Sequence, residues 1–143
     1  MEELLPIANA ASTWFMVGVI WLVQIAVYPS FRRLDPARFS EAMLDHQRRL
    51  ERVVIVPMLI ELVTSLALLA LHPESVLAWL GCLCVGVWGF STVLIQVPAH
   101  NRLAAKGYDA QAIGSLVKWN WPRKIAWTAH GAICAAILVR VSG

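Results

Sequence analysis

The chain has 143 residues, 59% of them hydrophobic and only 15% charged, with a formal net charge of +3. A soluble domain carries about 45–50% apolar and about 25% charged residues, so ordinary soluble composition is excluded. The basic excess is confined to two loops between apolar runs, so it is not read as a nucleic-acid surface, and no nucleic-acid partner is expected.

The first apolar run, Ile7–Tyr28, has the length of a helix that spans about 30 Å of hydrocarbon. It is too long for the core of a signal peptide, and Glu2 and Glu3 make its N-terminal flank acidic, so no signal peptide is expected. Tyr28–Pro29 is expected to end it. Asp35–Pro36 then pairs an N-cap residue with a proline suited to the first helical position. Beyond it Phe39, Met43, Leu50 and Val54 recur at helical spacing through a charged background. The second helix is therefore expected to start as an amphipathic stretch and enter the membrane over Val53–Leu71, kinked at Pro57.

His72–Pro73–Glu74–Ser75 reads as a tight turn, which makes the third run, Val76–Val97, an antiparallel neighbour. Pro98 is expected to close that run. Gly107–Tyr108–Asp109 starts a short helix, Ala110 to Val117, whose Ile113, Leu116 and Val117 suggest a place on the membrane surface. Trp119–Asn120–Trp121–Pro122 opens the fourth run, Ile125–Val139, which reaches full span if Arg123 and Lys124 snorkel. The reading is all-α: one domain over 1–143, a polytopic up-down-up-down bundle of four transmembrane helices. The helices are expected at about 7–30, 36–72, 75–98 and 121–141, with short interfacial helices on the cytoplasmic side. Cys82, Cys84 and Cys134 give no disulfide framework.

Six Arg lie between Arg32 and Arg52 and five Lys or Arg between Arg102 and Lys124, whereas the turn holding Glu74 has none. The positive-inside rule puts both basic loops in the cytoplasm and both termini outside, in a bacterial-type inner membrane.

Against this apolar background Glu61 stands out. At a rise of ~1.5 Å per residue it lies roughly 12 Å past Arg52, and His130 lies at a similar depth past Arg123. Gln24 and Gln96 fall in the same half of the membrane, and the outer half shows little comparable polarity. Helical spacing gives each span one inward stripe. These are Trp14, Trp21, Gln24 and Tyr28; His46, Leu50, Val53, Pro57, Glu61 and Ser65; Gly89, Thr92 or Val93, Gln96 and His100; and Arg123, Trp127, His130 and Cys134.

A charge at that depth costs at least ~2.5–3.5 kcal/mol and normally has a partner. Glu61 is expected to pair with His130, with Gln24 or Gln96 completing its hydrogen bonds. As a site, Glu61 and His130 would be catalytic, and Gln24, Tyr28, Gln96, His100, Asn101, Asn120, Arg123 and Trp127 would bind substrate or cofactor. His46, Glu61, His100 and His130 are the candidate metal ligands, since His and Glu from facing helices suit transition metals and one His can hold haem iron. A metal-free Glu–His pair would instead move protons. The alternative is a structural clamp between helices.

VPAHNRLAAKGYD followed by LVKWNWPRKIAW resembles the C-terminal half of the anthrone-oxygenase-like four-helix membrane proteins. In that family a Pro-x-(His/Asn)-x-x-Leu element ends the third helix and a Trp/Asn-x-x-Arg element opens the fourth. Pro98, His100 or Asn101, Leu103, Asn120, Trp121 and Arg123 match these elements, and VYPSF and HQRRLERVVIVPMLIE fit the N-terminal half more loosely. The chain departs from the pattern in carrying His130 where the family's fourth helix has an Arg. FSEAMLDHQRRLERVVIVPM is more weakly similar to the haem-carrying four-helix protoporphyrinogen oxidases. Both likenesses imply oxidation of a hydrophobic, aromatic molecule at the membrane, with haem or a transition metal as the cofactor class to test.

Three functions are expected on these grounds. The first is a membrane-embedded oxidoreductase or oxygenase-like enzyme. The second is a small proton-coupled transporter, and the third a non-catalytic membrane subunit or scaffold. The partners expected are the bilayer and a hydrophobic small molecule, with a homo-oligomer or a larger membrane complex left open.

Overall fold

Two prolines decide how the membrane helices are built. A proline inside a helix lacks an N–H, and its ring clashes with the carbonyl four residues back. In the computed structural model, which describes residues 4–142, neither Pro29 nor Pro98 ends its helix as the sequence suggests. Each is preceded by one wide π turn, Val23–Val27 and Thr92–Gln96 respectively. Tyr28 N–H donates to the Val23 carbonyl and Val97 N–H to that of Thr92, five residues back in both cases. The wide turn holds the carbonyls that each proline ring would otherwise strike. Helix α1 therefore runs from Leu4 to Phe31 and α3 from Val76 to Lys106.

The remaining helices are set by local signals. The Asp35 side chain accepts from Ala37 N–H at 2.9 Å and starts α2, Pro36–Leu71, through a short 3₁₀ turn. This helix continues through Pro57. Ser75 caps α3 by accepting from Ala78 N–H. Gly107, at φ 84°, ends α3 in a conformation that a side chain disfavours. Asp109 then caps α4, Ala110–Trp119, by accepting from the N–H groups of Gln111 and Ala112. The last helix, α5, is Trp121–Ser142. Glu2 and Glu3 lie outside the described residues.

Four helices are long and apolar enough to cross a membrane, and no more than 39% of any span's most apolar window is buried inside the protein. The exposed remainder is dominated by large hydrophobic side chains such as Ile55, Leu59, Val63 and Leu66. A surface of that kind belongs in lipid. The protein is a multi-pass membrane protein. Helix α1 packs against α2 and α5, and α3 packs against the same two. The expected up-down-up-down bundle forms, with α2 and α5 facing one another across its diagonal.

The apolar face of helix α4 is turned onto the bundle. Ile113 and Leu116 are fully buried in a cluster with Tyr28, Phe31, Phe39, Met43 and Leu103, and close the end of the bundle that carries the basic loops. A second cluster of Met16, Val17, Ile20, Val85, Trp88, Ala126 and Trp127 fills the middle. Close approach of α1 and α5 depends on Gly131, where a Cβ would stand 3.2 Å from the Trp14 ring, whereas a Cβ at Gly18 would meet nothing within 4 Å. Gly131→Leu should therefore cost ~1–3 kcal/mol of stability by overpacking. Gly18→Leu should be neutral or mildly stabilising, since it trades glycine for a good helix former on a lipid face. Unfolding of the two variants in detergent micelles measures the difference.

Candidate functional site

The inward polar residues form two layers instead of one. The middle layer is built on Glu61 and His130, which reach across the α2–α5 diagonal. Glu61 is completely buried and His130 is 1% exposed. His130 Nδ1 stands 2.6 Å from Glu61 Oε1, a short charge-assisted contact. The second carboxylate oxygen accepts from the indole N–H of Trp127 at 2.8 Å. Trp127, and neither Gln24 nor Gln96, thus completes the Glu61 hydrogen bonds. One turn apart on α5, Trp127 and His130 hold both oxygens from the same helix.

From this pair polarity continues towards the short-turn end, against the expectation that this half is apolar. The Asn9 amide donates to Thr64 Oγ1 at 2.8 Å and to Ser65 Oγ at 2.9 Å, and also reaches the Glu61 carbonyl at 3.3 Å. Thr64 spends its own hydroxyl proton on the Ile60 carbonyl at 2.6 Å, which leaves its lone pairs free for Asn9. Cys134 Sγ donates to Asn9 Oδ1 at 3.1 Å, and Thr13 Oγ1 lies 3.5 Å from His130 Nδ1. Ser65 and Cys134 lie on the expected stripes; Asn9, Thr13 and Thr64 do not. A small void of about 10 Å³ lies beside His130, Asn9, Ser65 and Gly81.

The signal for the missing three was present. Asn9, Thr13, Met16 and Ile20 share one helical face, and Thr64 comes three residues after Glu61. Trp14 and Trp21, expected on the inward stripe of α1, instead lie on the outside at 50% and 38% exposure. Val53 and Val93 also face outward.

The second layer lies at the basic-loop end. Tyr28 donates to Gln96 Oε1 at 3.3 Å, and the Gln96 amide donates to the Leu116 carbonyl at 3.4 Å. The two π turns bring these residues together, since each proline is bypassed at the level of one partner. Asn120 donates to Gln24 Oε1 at 2.9 Å and accepts from Arg123 at 3.4 Å. His100 Nδ1 lies 2.8 Å from the Gln96 carbonyl, and the His46 ring stacks over that of His100 at 6.1 Å. Asn101 accepts from Gln47 at 3.0 Å in an exposed contact. The layers meet at Trp127, whose ring lies 5.2 Å beneath the Arg123 guanidinium and stacks on Trp88 at 5.1 Å.

Comparison with family models, with curated proteins and with solved structures finds no match.

The four candidate metal ligands separate into two pairs, Glu61 with His130 and His46 with His100. Among the described residues no three His, Cys, Asp or Glu side chains converge as a donor set. His130 Nδ1 is committed to Glu61, and its Nε2 faces Gly81 so closely that a Cβ added there would stand 3.1 Å from it. That packing fits neither a multi-ligand metal ion nor a porphyrin on this histidine.

What the middle layer does offer is an acid–base pair with fixed geometry. A proton between Nδ1 and Oε1 belongs to both groups, and Trp127 steadies the carboxylate whichever carries it. Removing one partner of such a pair leaves the other stranded at ~3–5 kcal/mol, whereas apolar replacement of both is far better tolerated. His130→Leu should accordingly destabilise the protein more than the Glu61→Leu/His130→Leu double variant does, as read by reversible unfolding in detergent. Trp127→Phe should cost ~1–3 kcal/mol by leaving Glu61 Oε2 unsatisfied while retaining an aromatic stack on Trp88.

Proposed function

We propose that the protein is a membrane-embedded oxidoreductase of the oxygenase type, acting on a hydrophobic, aromatic molecule that reaches it through the lipid. The observation that carries this reading is the 2.6 Å Glu61–His130 contact, buried across the bundle diagonal with its second oxygen held by Trp127. A buried, prearranged base of this kind removes a proton from an activated C–H group, and the electron-rich carbanion then reduces dioxygen. The balance is one methylene and one dioxygen giving one carbonyl and one water, the two C–H protons leaving in the water.

A groove of about 440 Å³ on α3, lined by Cys82, Phe90, Ser91, Ile95 and Pro122, supports delivery from lipid. That volume lies within the ~300–1,000 Å³ range of small-molecule sites. Ser91 Oγ, on the groove's lining, is buried without a hydrogen-bond partner among the described residues; Trp88 Nε1 also lacks one there, and Trp88 stacks on the indole that holds Glu61. The resemblance of the C-terminal half to anthrone-oxygenase-like proteins supports the same chemistry.

A second reading is favoured by one observation. Polar side chains run from Asn9 and Ser65 through Glu61 and His130 to Arg123, Tyr28 and His100, along most of the bundle. Such a column suits proton-coupled transport. For either reading we place the protein in a bacterial-type inner membrane with its basic loops in the cytoplasm and its termini outside.

Detergent-purified protein given anthrone and dioxygen should consume the two in equal amounts and form the quinone. Glu61→Gln and His130→Gln should lower kcat by about 10²–10⁴-fold, the usual contribution of a positioned acid–base group. Absence of oxygen uptake by the wild type, together with Glu61-dependent proton flux in vesicles, would transfer the assignment to transport. For the orientation, a single cysteine at Glu74 in a cysteine-free background should react with an impermeant thiol reagent from outside intact cells, and one at Lys106 should not.

A further inference from the structure

Among the described residues Arg123 is a cation without an anion. It is 9% exposed, and among the described residues it forms no ion pair; the ion pairs present are Arg49–Asp45, His72–Glu74 and His130–Glu61. Its neighbours are neutral: Asn120 Oδ1 at 3.4 Å, the Tyr28 hydroxyl and the Trp127 ring. Its Nε–H has no hydrogen-bond partner among the described residues. A buried charge left in that state is costly, and guanidinium is the side chain whose geometry suits carboxylate and phosphate.

His100 supplies the complementary half. Its Nδ1 faces the Gln96 carbonyl at 2.8 Å, and a carbonyl oxygen only accepts, so Nδ1 must carry the proton. In the neutral ring Nε2 is then a bare lone pair, and it too is buried without a partner among the described residues. His46, stacked on His100, presents a third buried nitrogen, its Nε2, without a partner among the described residues. Tyr28 joins the two halves, its ring 5.9 Å from that of His100 and its hydroxyl beside Arg123. A buried guanidinium short of an anion therefore lies one side chain away from an imidazole short of a proton donor.

We infer that the basic-loop end of the bundle binds a phosphate monoester group, with Arg123 as its counter-charge and His100 Nε2 accepting its remaining proton. A monoester has both features: anionic oxygens for the guanidinium, and a second proton that leaves near pH ~6 and is readily shared with imidazole. A phosphodiester has the charge and lacks the proton. The monoester could be the headgroup of a lipid such as phosphatidic acid in the leaflet at this end, or a soluble phosphate entering between the basic loops. This site is separate from the acid–base reading of Glu61 and stands whether or not that reading does.

The test is titration of the detergent-solubilised full chain with short-chain phosphatidic acid, with phosphatidylglycerol of the same acyl chains, and with inorganic phosphate. Phosphatidic acid should bind at least about tenfold more tightly than phosphatidylglycerol, the difference that one charge-assisted hydrogen bond makes. Arg123→Gln should weaken phosphatidic acid by about tenfold or more, and His100→Gln should erase the preference over phosphatidylglycerol. Inorganic phosphate that displaces phosphatidic acid assigns a soluble source; phosphatidic acid binding that phosphate leaves undisturbed assigns the lipid. Should Arg123→Gln fail to fold, the wild-type preference and the His100→Gln result decide alone. Equal binding of the two lipids, no binding of either phosphatidic acid or phosphate, or unchanged affinity in Arg123→Gln would overturn the inference.

Discussion

A carboxylate in the middle of a lipid-facing helix has to be answered from another helix, and the answer to Glu61 organises this bundle. Neighbouring helices α1 and α3 could have supplied a partner; the one that does, His130, stands on the diagonal helix. A bond across the diagonal holds α2 and α5 at one separation and leaves the other two helices to pack into the flanking grooves. Gly131 on the α1 side and Gly81 on the α3 side show how closely they do so. Association of membrane helices gains nothing from burying apolar surface away from lipid that is itself apolar. Close packing and interhelical hydrogen bonds are what remain, and the middle layer supplies both.

The basic-loop end uses a different device. Pro29 and Pro98 would break α1 and α3 near that end, and a wide turn before each keeps the helices intact. In both cases the π turn ends two residues before the proline. The extra residue in each turn also rotates the rest of the helix beyond it, so that Tyr28 and Gln96 face one another and His100 turns inward. π turns inside α-helices occur frequently at functional sites, and here they carry the two glutamines of the second layer. Helix α4 seals this layer from the end, which is why its apolar face is spent on the bundle and not on lipid.

Much of this architecture is legible in the residue order alone. Hydrophobic run lengths mark the four spans, and a lone carboxylate and imidazole at matching depth mark the central pair. Periodicity fails at identifiable places. Extrapolating the α3 stripe from Gly89 crosses the π turn, and a period of 3.6 no longer holds there, so Val93 points outward while Gln96 and His100 point in. On α1 helical spacing back from Tyr28 and Gln24 puts Trp21 and Trp14 on the inward stripe. Lipid serves such rings as well as protein does, and the small Asn9 and Thr13 take the interior instead. Proline read as a terminator is sound for an isolated helix, but a bypass by a wider turn leaves no mark in local sequence. The pairing of His46 with His100, and not with Glu61, depends on three-dimensional rotation that spacing alone does not fix.

The two layers are not electrically independent, and Trp127 shows why. An aromatic ring is negative on its faces and positive at its edge. The indole of Trp127 turns its N–H edge to the Glu61 carboxylate at 2.8 Å and its face to the Arg123 guanidinium at 5.2 Å. Both contacts therefore have the favourable sign at once, and the cation–π contact is worth most where water is excluded. A single apolar residue in its place would leave an unsatisfied carboxylate oxygen on one side and remove the cation's aromatic contact on the other. The indole thus links the buried acid–base pair to the buried cation through one rigid ring. On one side of that ring a proton lies between acid and imidazole, and on the other stands a guanidinium that forms no ion pair among the described residues.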